Sequence, residues 1–529
     1  MLTLQNISYI HPDKELLFSG IYLSLNNKEK IALIGNNGSG KSTLLKIIAG
    51  ELQPSAGQVK ADTMPYYVPQ IFGQFDQLTI AEALKIHDKL SALKAILTGN
   101  GTEKHFNDLN DDWTIEERCR DALNHWQLKE LDPDQKLATL SGGQKTKVFL
   151  AGIDIHQPEL ILLDEPGNHL DIKARELLFD FIRSTSRTLL VISHDRKLLN
   201  LFDKVCLLDK NGITTYGGNY DFYATQKEIE MQALDHDLRS KEKALRQAKD
   251  KEREAIERQN KLDSRGKNKQ EKAGVARIMM NTLRNNAENS TAKLKGVHTE
   301  KISGLKQEYH ELRSSLPDIN KIKLDLNNSD LQAGKLLSGA SEINFSYGSV
   351  NVWQKNLSFE LRSAERVLLK GANGSGKSTL IKIILGLLEP QKGALKKQQI
   401  KAVYIDQDYS PVDGRLNVYE LAQSFNDAAL QEHEIKIRLN RFLFGKENWD
   451  KPCSALSGGE KMRLMLCCLT ISNQSPDLIV LDEPTNNLDI RNIDILTRAI
   501  NDYKGTLIVV SHDEYFVEQI GLHRTIELK

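Results

Sequence analysis

Gly35-Asn-Asn-Gly-Ser-Gly-Lys41-Ser42 is the stretch that decides the fold. An apolar run, Ile31-Ala-Leu-Ile34, precedes it, and Thr43-Leu-Leu-Lys-Ile-Ile follows. That order reads as strand, glycine-rich loop and helix, the context a phosphate-binding loop requires. Glycines let the backbone turn so that successive N–H groups face phosphate oxygens. The new helix adds its N-terminal dipole. Gly35, Asn36, Asn37, Gly38, Ser39, Gly40, Lys41, Ser42 and Thr43 are read together as the binding loop. Lys41 reaches the β- and γ-phosphates, and Ser42 offers a hydroxyl to Mg²⁺. The pattern returns as Gly371, Ala372, Asn373, Gly374, Ser375, Gly376, Lys377 and Ser378. Again it follows an apolar run, Val367-Leu-Leu, and precedes Thr379-Leu-Ile-Lys-Ile-Ile. Two copies in one chain leave chance a poor explanation.

Bulk properties narrow the classes. The chain has 529 residues and zero formal net charge, so a polyanionic partner must be held by a local patch. Mean hydropathy is −0.43, and no apolar run approaches the roughly twenty residues of a membrane span. Met1-Leu-Thr-Leu-Gln-Asn lacks the basic-then-apolar order of a secretory signal. Cys119, Cys206, Cys453, Cys467 and Cys468 show neither metal-site spacing nor a disulfide framework, which suits a reducing cytosol.

Other stretches repeat in register with the loops. Tyr66-Tyr-Val-Pro-Gln70 is matched by Ala402-Val-Tyr-Ile-Asp-Gln407, an offset of 337 (407 − 70) against 336 (371 − 35) at the loops. Tyr9 and Tyr347 precede the two loops in matching places, and each is taken as a face on which a purine stacks. Core packing is the plainer alternative. Leu140-Ser-Gly-Gly-Gln144 is matched by Leu456-Ser-Gly-Gly-Glu460, where the offset falls to 316 (457 − 141). The first half therefore carries an insertion, placed at about 85–112, either a surface loop or a short helical arm. Ser141, Gly142, Gly143 and Gln144, like Ser457, Gly458, Gly459 and Glu460, combine a helix-capping serine with bare N–H groups that grip an anion.

Two buried-type strands end in Asp164-Glu165-Pro166 and Asp482-Glu483-Pro484. Adjacent acids there are costly without a cation. Mg²⁺ held by Asp164 and Asp482 would relieve that cost, and Ser42, Ser378, Gln70 and Gln407 complete the candidate metal set. Glu165 and Glu483 are placed to polarise an attacking water. Two further strands end in Ser-His194-Asp195 and Ser-His512-Asp513, at an offset of 318 (512 − 194) that matches the acids. Repeated so, His194 and His512 read as γ-phosphate sensors.

These motifs together resemble the ATP-binding-cassette superfamily over both halves. Asn168-His-Leu-Asp171 and Asn486-Asn-Leu-Asp489 resemble its ABC-F branch, which has tandem cassettes and no membrane domain. The resemblance implies two cassettes closing head to tail on two ATPs. Each ATP would lie between one half's phosphate loop and the other half's Leu-Ser-Gly-Gly segment. One departure stands out. Gly167 occupies the place where the family has Thr, whereas Thr485 keeps it. The lost hydroxyl and added backbone freedom bear on the geometry of the first site.

Between the halves, residues 226–323 carry almost no strand signal. Met231, Leu234, Leu238, Leu245, Ala248 and Ala255 follow three- and four-residue steps, as do Ile302, Leu305, Tyr309, Leu312 and Leu316. That pattern predicts a helical hairpin with a coiled-coil seam, its arms roughly 35 residues and about 50 Å long. Lys261, Arg265, Lys267, Lys269, Lys272, Arg277 and Arg284 make a basic tip, interrupted by Gly266 and Gly274. A solvated spacer is the plain reading. Cations concentrated at the end of a rigid hairpin in a neutral chain favour a polyanion such as folded RNA. In the ABC-F family such a linker binds at the ribosomal exit site and reaches toward the peptidyl-transferase centre.

The expected architecture is α/β. Residues 1–222 form a first cassette with the insertion at about 85–112. Residues 223–336 form the hairpin with its tip at about 261–284, and residues 337–529 form a second cassette. The expected activity is that of a cytosolic ATPase acting on the ribosome, with ATP and Mg²⁺ as cofactors. Ribosomal RNA is the expected partner and tRNA a further candidate. The chain is expected to be a monomer whose cassettes pair internally and which meets no membrane. The resemblance leaves general translation, rescue of stalled ribosomes and antibiotic protection open. A transporter motor is the main rival, but a fused pair of motors needs no basic hairpin. A DNA-repair or chromosome ATPase would carry longer coiled coils or zinc cysteines. A nucleotide-locked scaffold would not need both glutamates.

Overall fold

The structure, a computed structural model, describes residues 1–12, 14, 16–168, 170–210, 212–272, 296, 299–313, 332–348, 350–372, 374–472, 475–486 and 488–528. Within residues 259–272 the side chains of 259, 263, 264 and 266–272 are not described. Met1–Asp221 and Lys321–Lys529 form one compact unit, and Phe222–Asn320 a second.

The first half runs β1 (Leu2–Ile10), β2 (Leu16–Leu25), β3 (Lys30–Ile34), α1 (Lys41–Ile48), β4 (Ala56–Ala61), β5 (Tyr66–Val68) and α2 (Ile80–Ala83). It continues with α3 (His87–Leu97), α4 (Glu103–Leu109), α5 (Ile115–His125), α6 (Gly142–His156), β6 (Leu160–Asp164) and α7 (Ile172–Ser184). It closes with β7 (Thr188–Ile192), α8 (Arg196–Leu199), β8 (Val205–Asp209) and β9 (Gly212–Tyr216). One sheet has the order β5-β6-β7-β3-β8-β9, and a smaller one β2-β1-β4. In the larger sheet every neighbouring pair is parallel except β8–β9. Strands β6 and β7 are buried along their whole length, which is why they read as continuous apolar runs rather than alternating ones. Leu44, Leu45, Ile47 and Ile48 of α1 pack with Leu162, Leu190 and the inward residues of the small sheet in one core.

The second half repeats the plan: β10 (Leu336–Asn344), β11 (Ser346–Tyr347), β12 (Val350–Asn351), β13 (Leu357–Arg362), β14 (Arg366–Gly371), α11 (Lys377–Leu385), β15 (Lys392–Lys397) and β16 (Ala402–Ile405). Then come α12 (Val418–Ser424), α13 (Glu432–Arg441), α14 (Gly458–Ile471), β17 (Leu478–Asp482), α15 (Ile490–Asp502), β18 (Thr506–Val510), α16 (Glu514–Gln519) and β19 (Arg524–Leu528). Its main sheet has the order β16-β17-β18-β14-β19.

The inserted stretch contains α3 and α4. Asp112 fastens it, accepting from Lys89 Nζ at 2.8 Å and from both terminal nitrogens of Arg118 at 2.8 and 2.9 Å.

Between the halves runs α9 (Tyr220–Lys272), 53 residues long, and a helical stretch at 299–313, here α10. Lys241 and Glu308 form an ion pair between them. The seam residues Met231, Leu234, Leu238, Leu245 and Ala255 are half-buried and Ala248 is buried. Ile302, Leu305, Tyr309 and Leu312 on α10 are half-buried too. Leu316, Gly274, Arg277 and Arg284 lie outside the described residues. Two expectations change. The first arm is longer than 35 residues, about 80 Å at 1.5 Å per residue, and Gly266 does not interrupt it. A single helical glycine costs about 1 kcal/mol, too little to end a helix of this length.

Candidate functional site

In each half the glycine-rich loop leaves the C-terminal end of a strand in the middle of the main sheet and enters a helix. Strand β3 lies beside β7, and β6 lies beyond it. The loop, Asp164-Glu165 and His194 therefore share one edge of the sheet, where open α/β sheets place their ligands. In the second half β14, β18 and β17 gather Lys377, His512 and Asp482-Glu483 in the same way. Gly40 and Gly376 hold left-handed backbone at φ 93° and 86°. A Cβ on Gly40 would stand 2.6 Å from the Phe18 ring, and one on Gly376 2.3 Å from Val352 Cγ1. Only glycine fits either place.

Lys41 Nζ donates to the carbonyls of Gly35 (2.8 Å) and Asn36 (3.1 Å). Lys377 Nζ does the same to Gly371 (2.8 Å) and Ala372 (3.1 Å). Burial lowers both lysine pKa values. The hydroxyls of Ser39 and Ser375 are buried and have no hydrogen-bond partner. Ser378 Oγ donates to Asp482 Oδ2 at 3.3 Å. Asn373, in the second loop, lies outside the described residues.

The carboxylates are built alike in the two halves. Glu165 and Glu483 both hold left-handed backbone, at φ 51° and 50°, a strain of about 1–3 kcal/mol that persists where the surroundings enforce it. The enforcement is a backbone bond from each N–H across to the neighbouring strand, to Ile192 at 2.9 Å and Val510 at 2.8 Å. The N–H groups of His194 and His512 donate to Oε2 of Glu165 and Glu483, each at 3.3 Å. The imidazole Nε2 atoms stand 3.4 and 3.3 Å from the respective Oε1 atoms. Burial pushes the Glu165 carboxyl up and that of Glu483 up to about 7. It pushes His194 well down and His512 down to about 4. The imidazoles are therefore neutral near pH 7, and each contact joins a neutral ring to a carboxyl group.

Burial also raises Asp164 and Asp482. Tyr67 and Tyr404 donate to their Oδ2 atoms at 3.2 and 3.0 Å. Asp164 Oδ1 is buried without a partner. An orphaned hard oxygen beside a serine hydroxyl fits an oxygen-loving divalent ion. Among the described residues no cluster of three or more His, Cys, Asp or Glu could hold a metal by itself. That agrees with Mg²⁺, which takes one or two carboxylates and completes its shell with phosphates and water.

The two halves meet at these sites. One cavity of about 860 Å³ is lined by Lys377, Ser378, Thr379, Gln407, Asp482, Glu483 and His512 from the second half and by Ser141, Gly142 and Gly143 from the first. Tyr347 also lines it, 60% exposed, with its hydroxyl 3.4 Å from Thr379 Oγ1. Gly167 lines the same cavity. It also lines a smaller cavity with Glu165, Asn168 and His194 of its own half, so it borders both sites. The first loop meets the other half through the Asn37 N–H, which donates to Asp489 Oδ2 at 2.8 Å. No described cavity lines Lys41 together with Ser457. Ser141 and Ser457 both cap their helices, with Gln144 and Glu460 closing capping boxes. Tyr9 is half-buried beside Phe18, ring centroids 6.3 Å apart, and lines no described cavity. Gln70 is half-buried at the end of β5.

Three functional candidates escaped the sequence reading. Tyr67 and Tyr404 repeat at the offset of Gln70 and Gln407 and could have been found by it. Arg175, which pairs with Asp195 at 3.0 Å and donates to the His512 carbonyl, has Ile493 at its repeat position and gave no such signal.

Residues 18–168 and 354–486 match the family described as ABC transporter. Fold and site thus define the class, a tandem ATP-binding-cassette protein whose domains bind and hydrolyse ATP. YdiF of Bacillus subtilis is 31% identical over 540 residues, covering 97% of this chain and 78% of YdiF. ABC transporter F family member 5 of Arabidopsis thaliana is 29% identical over 532 residues, covering 95% and 71%. The chain belongs to the ABC-F family of ATP-binding-cassette ATPases. Its fold is shared by an archaeal ribosome recycling factor solved with a ribosomal stalk protein, at a TM-score of 0.60 and 19% identity over 99% of this chain and 87% of that one. Among the described residues no helix is long and apolar enough to cross a membrane.

Proposed function

We propose that this ATPase is a cytosolic translation factor that binds the ribosome with its cassettes closed on ATP and leaves after hydrolysis. The observation that carries the reading is the cavity joining Ser141–Gly143 to Lys377, Ser378 and Glu483. A nucleotide held by both halves makes closure depend on its γ-phosphate. Lys41 and Lys377 would carry positive charge to the phosphates, with backbone N–H groups of both loops around them. Asp164, Asp482, Ser42, Ser378, Gln70 and Gln407 would hold Mg²⁺, which when bound neutralises phosphate charge. Glu165 and Glu483 would orient the attacking water, and neutral His194 and His512 would hydrogen-bond the γ-phosphate. Tyr347 would stack on the base. Tyr9 is proposed for the same role in the first site. Catalysis of this kind is mainly positioning and charge neutralisation.

Support for the ribosome comes from the basic stretch on and beyond α9 and from the linker's length. A neighbour of the same fold is described as ribosome-bound together with archaeal Pelota. The contact would be with ribosomal RNA, and with tRNA if the tip reaches the peptidyl-transferase centre. Antibiotic protection is one outcome such contact could have. The test is steady-state ATP hydrolysis with and without ribosomes. Slow turnover by the free protein and a several-fold rise with ribosomes are expected. Turnover that ribosomes leave unchanged across a range of salt would contradict the coupling.

A further inference from the structure

Away from the phosphate loops, the cassettes meet through two short segments that follow the repeated His-Asp pair. In the first half these are Arg196 and Lys197. At the same repeat positions, 318 residues on (514 − 196), the second half has Glu514 and Tyr515. The two segments face each other about a local two-fold. Arg196 stacks its guanidinium 4.0 Å from the Tyr515 ring centroid, and Lys197 pairs with Glu514. Arg196 also pairs with Asp494 of α15 at 2.5 Å and lies 5.7 Å from the ring of Tyr220, the first residue of α9. Its side chain is only 12% exposed, so the charge depends on these partners.

We propose that this patch specifies which cassettes pair, so that a first cassette accepts a second and rejects its own kind. Exchange either half for a copy of the other and the contacts fail. Two first halves would set Arg196 of each against Lys197 of the other, twice over, and lose both the Tyr515 face and Glu514. Glu176, at the repeat position of Asp494 (494 − 318), would answer only part of that repulsion. Two second halves would set Glu514 against Asp494 twice, with no cation at either repeat position. Only the mixed pair places cations against acids and an aromatic ring. Like charges forced together are a standard device for rejecting wrong partners. A chain carrying two similar cassettes needs one, because self-pairing between copies would give non-productive dimers. Neither the nucleotide chemistry nor the linker requires opposite charge at these positions.

The test is a charge-reversal cycle in the full chain. One variant carries Arg196→Glu and Lys197→Glu, a second carries Asp494→Lys and Glu514→Lys, and a third carries all four. ATP turnover, nucleotide binding, thermal midpoint and the mass of the chain with ATP are measured for each. Each reversal alone is expected to lower turnover about tenfold, the scale of coupling between contacting charges, with ATP binding retained. The fourfold variant is expected to recover most of that loss and to be monomeric, as is expected of the wild type. A merely structural role would make the two losses multiply. Multiplied losses in a folded fourfold variant overturn the proposal. So does wild-type turnover in both single reversals. If a reversal at buried Arg196 prevents folding, the exposed pair decides. Lys197→Glu and Glu514→Lys should each lower turnover and restore it together, and no mutual rescue there overturns the proposal equally. These outcomes concern pairing alone, so they stand or fall apart from ribosome binding.

Discussion

Glu165 and Glu483 show how much one position is asked to do. Glu165 is buried and Glu483 half-buried at the end of an apolar strand, each held in left-handed backbone and pinned by the N–H of the histidine just beyond the next strand. A carboxyl raised by burial suits a group that must hold a water and then release its proton. Gly167, two residues beyond Glu165, lines the second-site cavity as well as a smaller one beside Glu165 and His194. A Cβ there would stand 3.9 Å from Arg175 Nε and Nη2, an ordinary van der Waals contact. Gly167→Thr is expected to alter turnover at the second site. With Glu165→Gln silencing the first site, Gly167→Thr should change the residual rate; with Glu483→Gln it should leave it nearly unchanged. An effect confined to the Glu483→Gln background would contradict the placement. Sequence reading singled out Gly167 from its unmatched partner Thr485 and assigned it to the first site; the fold sets it on the second-site cavity as well.

At the scale of elements, the inserted helices α3 and α4 hang on Asp112. Its carboxylate joins Lys89 of α3 to Arg118 of α5 and is only 13% exposed. The Arg118 hydrogen bonds, against the opposing cost of burial, hold its carboxyl below the usual carboxylate range. Asp112→Asn is expected to cost about 1–3 kcal/mol, the scale for hydrogen bonds to a charged group. A group with a depressed folded pKa contributes stability above its unfolded value of about 3.9 and loses it as pH falls through the folded value. The difference between wild type and variant should therefore be the same at pH 7 and pH 5 and shrink below about pH 4. A denaturant titration at each pH checks this, and a difference that is already smaller at pH 5 would contradict the assignment. Strands β3, β6, β7 and their repeats were plain in the sequence because buried parallel strands are continuously apolar. The α9 seam was plain because a half-buried helix repeats its apolar face. Neither the Asp112 clamp nor the passage of α9 through Gly266 leaves a periodic trace. The first depends on three residues brought together by folding, the second on a helix long enough to absorb one poor residue.

For the whole molecule, the repeat made both sites legible at once, since every motif could be checked against its copy. Features unique to one half, Arg175 and the opposite charges at Lys197 and Glu514 among them, had no copy to check against and emerged only from the fold. If the basic stretch meets RNA, replacing Arg265, Lys267, Lys269 and Lys272 with Ala should weaken ribosome binding and spare ATP binding. The salt dependence should flatten by roughly 0.7–0.9 log units per lost phosphate contact. An unchanged affinity and salt slope would leave the stretch a solvated spacer. The most direct measurement uses Glu165→Gln with Glu483→Gln. Lys41, Lys377, Ser42, Ser378, Asp164 and Asp482 remain, so ATP and Mg²⁺ should bind while hydrolysis stops. The cassettes should then stay closed and hold the protein on its partner. Co-sedimentation with ribosomes in ATP, followed with the rate of protein synthesis after induction, reads this out. The account expects the double variant to be retained on ribosomes and synthesis to fall. A double variant that binds ATP, stays off ribosomes and leaves synthesis untouched would contradict it.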